Sequence, residues 1–382
     1  MSILTAETNA RGPLSMFAET TRKEPLPMTD CRVHITANPT QMMLDEIATF
    51  QETAPSQAIQ QSLVWPTLNR PETNLEYMHF IAKAGPRVLA GGLIRMRSVA
   101  AGFTVATMQR GPVTMDPFDV KTVLLALEEK LLELGVITLS VNPSWAGRDR
   151  DVVMSALQGA GYHRVAPNLQ DFPTSTALID MNRTEQDILT GMTPEGRRSL
   201  RKAVNDGVTC RPMRSFDEAL RANEIMVGMA AETGLVLDSQ HNFVAHFEHL
   251  KTAPKTGCIL VAEYQGEIFG ASVCYLEGNV GHETLFTTSS AVEVPGAHAL
   301  VWDSMMTVRR LGATVYDLSG FPDDEMENAK GMAMRGSFKQ SFGPEIVKLA
   351  PLMSKPLRPM LHGAMNKLRG VHRKHVAAKA SR

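Results

Sequence analysis

The chain has 382 residues, of which 43% are hydrophobic, a length that suggests two domains, each able to bury its own core. Its 39 basic and 40 acidic residues exclude a globally basic nucleic-acid binder and a highly charged disordered chain. We find no apolar run of about 18–20 residues and no apolar core near the N-terminus, so neither a membrane span nor a signal peptide is expected. Four scattered cysteines fit a reducing cytoplasm.

The first half of the chain has the pattern of an α/β domain. Residues 1–28 are polar and interrupted by prolines, which predicts a loose arm. Hydrophobic periodicity then predicts a strand from Cys31, a helix after Pro39, three strands at 77–83, 88–99 and 103–109, a helix at 116–134 and a strand at 136–141. Gly135 is expected to end the long helix as a C′ glycine.

The second half repeats this order. It predicts strands at 177–181, 208–213, 258–264, 268–276, 282–288 and 315–318, and helices at 195–205, 216–233, 242–251 and 297–311. Gly312 follows the last of these helices as Gly135 follows its counterpart. The repetition indicates a duplication, so we expect two similar α/β domains at residues 29–175 and 176–352, with a ligand site in the cleft between them.

The last segment, at 353–382, is predicted to be a basic tail. From residue 346 to the end there are nine lysines and arginines and no acidic residue. Such a block attracts phosphate, in lipid headgroups at the inner face of the cytoplasmic membrane or in tRNA. The alternative is a solvated tail that only balances acidic charge elsewhere.

The most specific pattern lies near the end of the second half. Tyr-Asp-Leu-Ser-Gly-Phe places Asp317 at the end of a strand, which is where α/β folds carry their sites. Gly-Ser-Phe-Lys-Gln-Ser-Phe-Gly places Lys339 between two phenylalanines. A lysine aimed by aromatic neighbours could stabilise an oxyanion during acyl transfer. Alternatively, its stem is packed and its amine is solvated.

Two carboxylates are candidates for a general base that would act on an attacking amine. They are Asp317 and Asp116. Either could instead be a turn or capping residue, and Asp116 stands where a helix N-cap is expected.

In order and spacing, these segments resemble the Fem family of aminoacyltransferases (FemX/FemAB-like). The resemblance extends from about Gln60 to Leu349. It rests on Gln-Ser-Leu-Val-Trp ending at 65, Arg-Gly-Pro-Val at 110–113, Ile-Asp-Met at 179–181, Arg-Arg-Ser-Leu-Arg-Lys-Ala at 197–203, and the two segments around Asp317 and Lys339. It implies two tandem GNAT-like domains. Residues 215–252 are too short for the coiled-coil insertion of some relatives, which favours the compact form.

The resemblance also implies an activity. Aminoacyl-tRNA would be the donor, no cofactor would be needed, and the acceptor would be an amine of a lipid- or nucleotide-linked peptidoglycan precursor. Lys339 would stabilise the oxyanion, and Arg197 and Arg201, one helical turn apart, would hold the precursor's pyrophosphate. For these two arginines a solvated basic face is the alternative. The remaining predicted substrate-binding residues are Phe338, Tyr316, Asp116 and Arg70, the last an inexact substitute for a lysine that follows the family's tryptophan.

Two other functions stay open. One is an acyl-CoA N-acyltransferase acting on sugar amines, although the expected pyrophosphate loop, Glu-Val-Pro-Gly-Ala-His at 293–298, has one glycine and a proline that removes an N–H donor. The other is a non-catalytic protein that binds a glycan precursor. A metal site is not expected, because His241, His246 and His249 lack the spacing of a helical metal motif.

Overall fold

The structure is a computed structural model that describes residues 31–55, 58–69, 72, 74–99, 102–166, 173–322 and 330–367, without the side chains of 330–334. The predicted arm at 1–28 lies outside these ranges. The strands are β1 (Cys31–Thr36), β2 (Leu75–Ala84), β3 (Arg87–Ser98), β4 (Thr104–Met108), β5 (Val136–Val141), β6 (His163–Arg164), β7 (Ser175–Asp180), β8 (Thr209–Pro212), β9 (Gly257–Tyr264), β10 (Glu267–Glu277), β11 (Val280–Thr288), β12 (Val315–Phe321), β13 (Glu345–Lys348) and β14 (Met353–Pro356).

Helices connect and cover these strands. They are α1 (Gln41–Thr53), α2 (Trp65–Leu68), α3 (Val120–Glu133), α4 (Gly147–Gly159), α5 (Glu185–Gly191), α6 (Pro194–Asn205), α7 (Phe216–Thr233), α8 (Phe243–Thr252), α9 (Gly296–Leu311) and α10 (Lys330–Gln340). Within the described ranges, no helix is both long enough and apolar enough to cross a bilayer.

The duplication is visible in the topology of two seven-stranded sheets. Their strand orders are β1-β2-β3-β4-β5-β14-β6 and β13-β7-β12-β11-β10-β9-β8. In the first sheet β4 runs parallel to β5, with α3 between them in the chain; in the second, β11 runs parallel to β12, with α9 between them. The other neighbours are antiparallel. The predicted α/β class with two similar domains is therefore confirmed.

One strand crosses from the second half to the first sheet. β7 opens the second half and lies in the second sheet, between β12 and β13. β14, at the end of the second half, instead returns to the first sheet and pairs antiparallel with β5 and β6. Residues 353–356, which were predicted to begin the basic tail, therefore form a strand of the first sheet. Met353 is buried in the core of the first sheet, because antiparallel pairing satisfies the backbone of β14 and gives its apolar side chain a packed environment.

Local signals explain the bounds of the two equivalent helices. Asp116 Oδ1 accepts a hydrogen bond of 3.0 Å from the Phe118 backbone N–H, so this residue is the N-cap of the short 3₁₀ segment that leads into α3. Gly135 follows α3 with a φ of +79°, and Gly312 caps α9 with a φ of +117°. Both take the left-handed conformation that glycine adopts without strain, as predicted.

Two apolar clusters join the halves on either side of the region between the sheets. One packs Trp65 and Leu93 of the first half with Phe243 and Tyr275 of the second. The other holds Ala146 together with second-half residues of β7, β12 and β13. Because these clusters contain buried side chains of both halves, they pack the two halves against each other beside the cleft.

Candidate active site between the two sheets

A cavity of about 900 Å³ lies between the halves, a volume typical of small-molecule sites. Arg95 and Arg110 line it from the first half. Thr176, His282 and Asp317 line it from the second half. The cleft expected from the duplication is therefore present, and both sheets contribute charged side chains to its wall.

Asp317, predicted as a catalytic residue, lies on β12 with its carboxylate fully engaged. Oδ1 accepts hydrogen bonds from Thr176 Oγ1 at 2.5 Å and from the Ser319 backbone N–H at 2.7 Å, and Oδ2 lies 3.2 Å from His282 Nδ1. Burial raises the pKa of this carboxyl, but the hydrogen bond and charge of His282, with the two other donors, outweigh it and lower the pKa below its usual value. Asp317 is therefore an ionised acceptor with little capacity left for a substrate proton.

The sequence analysis did not predict a role for His282. It stands beside Asp317 in the parallel register of β11 and β12. Its Nδ1 faces the Asp317 carboxylate, and its Nε2 is buried with no hydrogen-bond partner among the described residues. The signal that could have found it is weak: a histidine near the start of a strand adjacent to the Asp-x-x-Gly strand.

Lys339, the second predicted catalytic residue, lies on α10 and reaches back to β12. Its Nζ donates to the backbone oxygens of Ser319 at 3.1 Å and Gly320 at 2.8 Å. A register shift between residues 317 and 320 and a φ of +62° at Ser319 present these carbonyls. Burial lowers the pKa of Lys339, while the charges of Glu283 and Asp317 act in the opposite direction. Two of its three donors are used, which leaves one for a ligand.

Glu283 is a second carboxylate near Lys339. Burial raises its pKa to about 7, partly opposed by the charge of Lys339 and a hydrogen bond from Tyr316. The Tyr316 hydroxyl lies 3.5 Å from Glu283 Oε1 and 3.1 Å from Cys274 Sγ, deep in the core of the second half. Tyr316, predicted to bind substrate, thus lies under the site and not in the cavity wall.

Phe338, also predicted to bind substrate, belongs to an aromatic cluster that supports α10. Its ring centroid lies 5.0 Å from that of His298, 5.4 Å from Phe342 and 5.7 Å from Phe286. Such tilted and edge-to-face contacts are favourable arrangements for aromatic rings. The cluster therefore fixes the helix that carries Lys339.

Arg110 is the main cation of the first-half wall and was likewise not chosen from the sequence as a site residue. Its backbone N–H donates to Asn142 Oδ1 at 2.8 Å, and its Nη2 donates to the Pro173 oxygen at 3.1 Å. Its Nη1 is buried with no partner among the described residues. Burial lowers the pKa of the guanidinium, and the charge of Asp317 across the cavity opposes that shift. A buried, unpaired donor of this kind favours an anionic ligand.

Two of the segments on which the Fem resemblance rests meet behind Arg110. Gln61 Nε2 donates to the oxygens of Gln109 at 2.8 Å and Leu93 at 3.2 Å, and its Oε1 accepts from the Leu93 N–H at 3.1 Å. Gly111 leaves space for this amide, since a Cβ there would lie 2.7 Å from it. The buried glutamine thus holds the backbone that presents Arg110.

The remaining predicted residues lie elsewhere. Arg197 Nη1 donates to the backbone oxygens of Thr190, at 2.8 Å, and Met192, which end α5. Arg201 is exposed on the same helix, α6, and neither arginine lines the cavity. Asp116 acts as the N-cap described above and is also outside the cavity wall. Arg70 lies outside the described residues. The pyrophosphate role of Arg197 and Arg201 stays a prediction.

The helix N-termini at which GNAT enzymes bind CoA pyrophosphate have an unfavourable chemistry in both halves. At α9, Pro295 is the N-cap, and the Gly296 N–H donates to the Val294 oxygen at 2.8 Å. At α3, the carboxylates of Asp116 and Asp119 stand at the helix start. Proline and local bonding remove donors, and acidic side chains repel a pyrophosphate.

No protein-family model matches the chain, and no curated protein matches it in sequence. Among solved structures, FemX is similar to it with a TM-score of 0.72, 14% identity, and coverage of 87% of this chain and 99% of FemX. The C-terminal domain of a predicted lysylphosphatidylglycerol synthetase from Agrobacterium fabrum has a TM-score of 0.54 and 14% identity, covering 85% and 96% of the two chains.

A tandem GNAT protein from the clavulanic acid biosynthesis pathway has a TM-score of 0.50 and 14% identity, covering 85% of this chain and 99% of its own. At these identities the similarity concerns the fold. The chain has the tandem GNAT-like fold of FemX, and the resemblance predicted from the sequence is confirmed at that level.

Proposed function

We propose that this protein is an acyltransferase that moves an amino acid from aminoacyl-tRNA to an amine of a peptidoglycan-precursor-like acceptor, forming an amide bond. The observation that carries the proposal is the position of Lys339. Its ammonium is held by the carbonyls of Ser319 and Gly320, two residues that line the cavity between the halves, and the carboxylates of Glu283 and Asp317 are close enough to act on its charge. The fold shared with FemX supports this assignment.

The chemistry needs a donor for the oxygen that becomes negative when an amine attacks the ester carbonyl. Lys339 has one N–H direction free of the Ser319 and Gly320 carbonyls. Because these carbonyls and the aromatic cluster fix its position before the reaction, little reorganisation is needed when the oxyanion develops. Nearby Glu283 and Asp317 favour the charged form of the lysine, which this role requires.

For the acceptor, we place its anionic group at the first-half wall. Arg110 offers a buried donor without a partner, and Arg95 lines the same cavity. Guanidinium groups suit the phosphate of a lipid- or nucleotide-linked precursor. The reacting amine would then extend towards the second half, where His282, Asp317 and Lys339 are gathered.

An acyl-CoA donor is the less favoured alternative. Its pyrophosphate would have to bind beside Pro295 at α9 or beside Asp116 and Asp119 at α3. Neither helix start resembles the cradle of free backbone N–H groups that such a ligand uses. We therefore propose that the protein uses no cofactor and that aminoacyl-tRNA is its co-substrate.

Donor discrimination tests the proposal. The purified protein is offered mixed radiolabelled aminoacyl-tRNAs or labelled acetyl-CoA, each with a UDP-linked muramyl pentapeptide as acceptor, and labelled amide is measured. We expect transfer from aminoacyl-tRNA only. Transfer from acetyl-CoA alone would replace the proposal by the acyl-CoA alternative, and transfer from neither would favour a non-catalytic binding protein.

A further inference from the structure

Of the two ring nitrogens of His282, one faces a fixed carboxylate and the other has no partner. Nδ1 lies 3.2 Å from Asp317 Oδ2. Nε2 is buried, and the residue lines the cavity. The Asp317 carboxylate is itself held by Thr176 and by the Ser319 N–H, so it cannot turn away from the imidazole without breaking two hydrogen bonds.

This arrangement determines the tautomer of a neutral imidazole. A carboxylate accepts hydrogen bonds and cannot donate one, so Nδ1 carries the proton and Nε2 keeps its lone pair. A buried lone pair without a donor is costly unless a ligand or a proton satisfies it. The Nε2 atom is therefore prepared to accept a proton from a group bound in the cavity.

Strand alternation places His282 and Glu283 on opposite faces of β11. Glu283 contacts Tyr316 of the second-half core, and both it and His282 contribute to the lining of the inter-domain cavity. Arg110, which we assign to the acceptor, lies across that same cavity. An acceptor held by Arg110 would therefore extend across the cavity towards His282. Lys339 bonds to a carbonyl near the end of β12.

We propose that His282 is the general base that takes the proton of the attacking amine, and that Asp317 is its positioning residue. This inference rests on the proposed function and deepens it. It also reassigns Asp317, which the sequence suggested as the base itself.

The step balances as follows. The amine nitrogen attacks the ester carbonyl, a C–N bond forms, and the carbonyl electron pair moves to the oxygen beside Lys339. A proton leaves the nitrogen for His282 Nε2. The tetrahedral intermediate then collapses, the bond to the ribose oxygen of tRNA breaks, and the same proton passes from Nε2 to that oxygen, which returns the imidazole to its neutral form.

Charged groups around His282 come from several elements and act together on any pH profile. Asp317 faces it from β12, and Glu277 of β10 is close enough for the two charges to interact. The other charged side chains that line the same cavity are Glu52, Arg95, Arg110, Asp238 and Glu283. The test therefore compares pH profiles between variants and does not interpret one profile alone.

The first arm of the test is kinetic. His282→Ala should lower turnover by about 10²–10⁴-fold, the usual contribution of a general base, with little change in the KM of the donor. The acid limb of its kcat/KM profile should disappear, and added imidazole should restore part of the activity. Imidazole should not rescue Lys339→Ala, and His34→Ala, an exposed histidine on β1, should behave as wild type. A His282→Ala variant with wild-type turnover and an unchanged acid limb would overturn the proposal.

The second arm does not depend on activity. Nitrogen-15 NMR of the histidine rings, assigned by comparison with His282→Gln, should show the His282 proton on Nδ1 in wild type and a change of this pattern in Asp317→Asn. A proton on Nε2 in the wild-type protein would overturn the proposal even if no donor is found. If no aminoacyl-tRNA supports transfer, the proposed function fails, and this measurement still decides whether Nε2 is a free acceptor.

Discussion

Lys355 of the last strand binds Glu128 of α3, with Nζ 2.5 Å from Oε2. The ion pair lies beside β14, which fills the position between β5 and β6 in the first sheet. The basic C-terminal segment therefore begins inside the first half of the molecule.

Removal of β14 should unfold the first half. A variant ending at Ala350 loses the pairing of β14 with β5 and β6, the buried Met353 side chain and the partner of Glu128. We expect a loss of cooperative thermal unfolding for that half, whereas a variant ending at Lys367 keeps these contacts and should unfold as the full chain does. Equal melting of both variants would show that β14 contributes no stability.

The variant ending at Lys367 also tests what the tail binds. It removes five positive charges beyond the described residues. Each lysine or arginine near an anionic membrane contributes about 1 kcal/mol, within a Debye length of about 10 Å. Sedimentation with anionic vesicles and binding to tRNA are compared at low salt. Loss of vesicle binding alone supports attachment to the inner membrane face, loss of tRNA binding alone supports a role in donor binding, and no loss of either contradicts both.

Gly196 should not tolerate a side chain. A Cβ there would lie 2.4 Å from the Ser341 oxygen, so Gly196→Ala must displace either α6 or the segment after Lys339. Overpacking of this kind costs about 1–3 kcal/mol, measured by denaturant unfolding. Gly228→Ala is the matched control, because Gly228 is exposed on helix α7 with nothing near its Cβ position; it should stabilise the protein by about 0.5–1 kcal/mol. A neutral Gly196→Ala would disprove the close contact.

Glu283 should make the protein less stable as the pH rises. Burial raises its pKa from the ordinary 4.5 to about 7, so the folded state binds a proton more tightly than the unfolded state does. Its favourable contribution is complete below about pH 4.5 and is lost as the pH rises to about 7. Glu283→Gln should remove that decrease in the free energy of unfolding. Glu267→Gln, at the exposed start of β10, serves as the control, and a pH dependence that persists in Glu283→Gln would contradict the assignment.

Lys339→Ala should lower turnover by about 10²–10³-fold, the usual loss when one oxyanion donor is removed, with little effect on the KM of either substrate. Lys348→Ala, which removes an exposed lysine from β13, should leave turnover unchanged. Circular dichroism checks that the Lys339 variant is folded. Wild-type turnover in a folded variant would mean that Lys339 only ties α10 to β12.

Arg110→Lys should raise the KM of a phosphate-bearing acceptor much more than that of a phosphate-free analogue. A lysine keeps the charge but loses the planar fork that binds two oxygens. Arg201→Lys, on the exposed face of α6, is the informative comparison. If it has the selective effect and Arg110→Lys does not, the sequence-based assignment of the pyrophosphate to α6 is the correct one.

Much of the secondary structure followed from local pattern. The helix at 116–134 and the strand after Gly135 were predicted because their apolar side chains recur at helical spacing and the glycine permits the left-handed turn. Helix α4 was missed because few of its apolar side chains are buried, chiefly Val153 and Leu157, which leaves a weak periodic signal. Lys339 was found because its aromatic neighbours are adjacent in the chain.

By itself, the sequence determined the order of most helices and strands, the duplication and the candidate lysine, since each depends on neighbours a few residues away. Only the tertiary structure decided that β14 belongs to the first sheet and that His282 and Arg110 share a cavity with Asp317. His282 and Asp317 are brought together by the parallel register of β11 and β12, and Arg110 by the packing of one half on the other. Strand register and the packing of the two halves are set by the burial of apolar surface between residues far apart in the chain. The sequence around each of these side chains therefore does not reveal which of them lie close together.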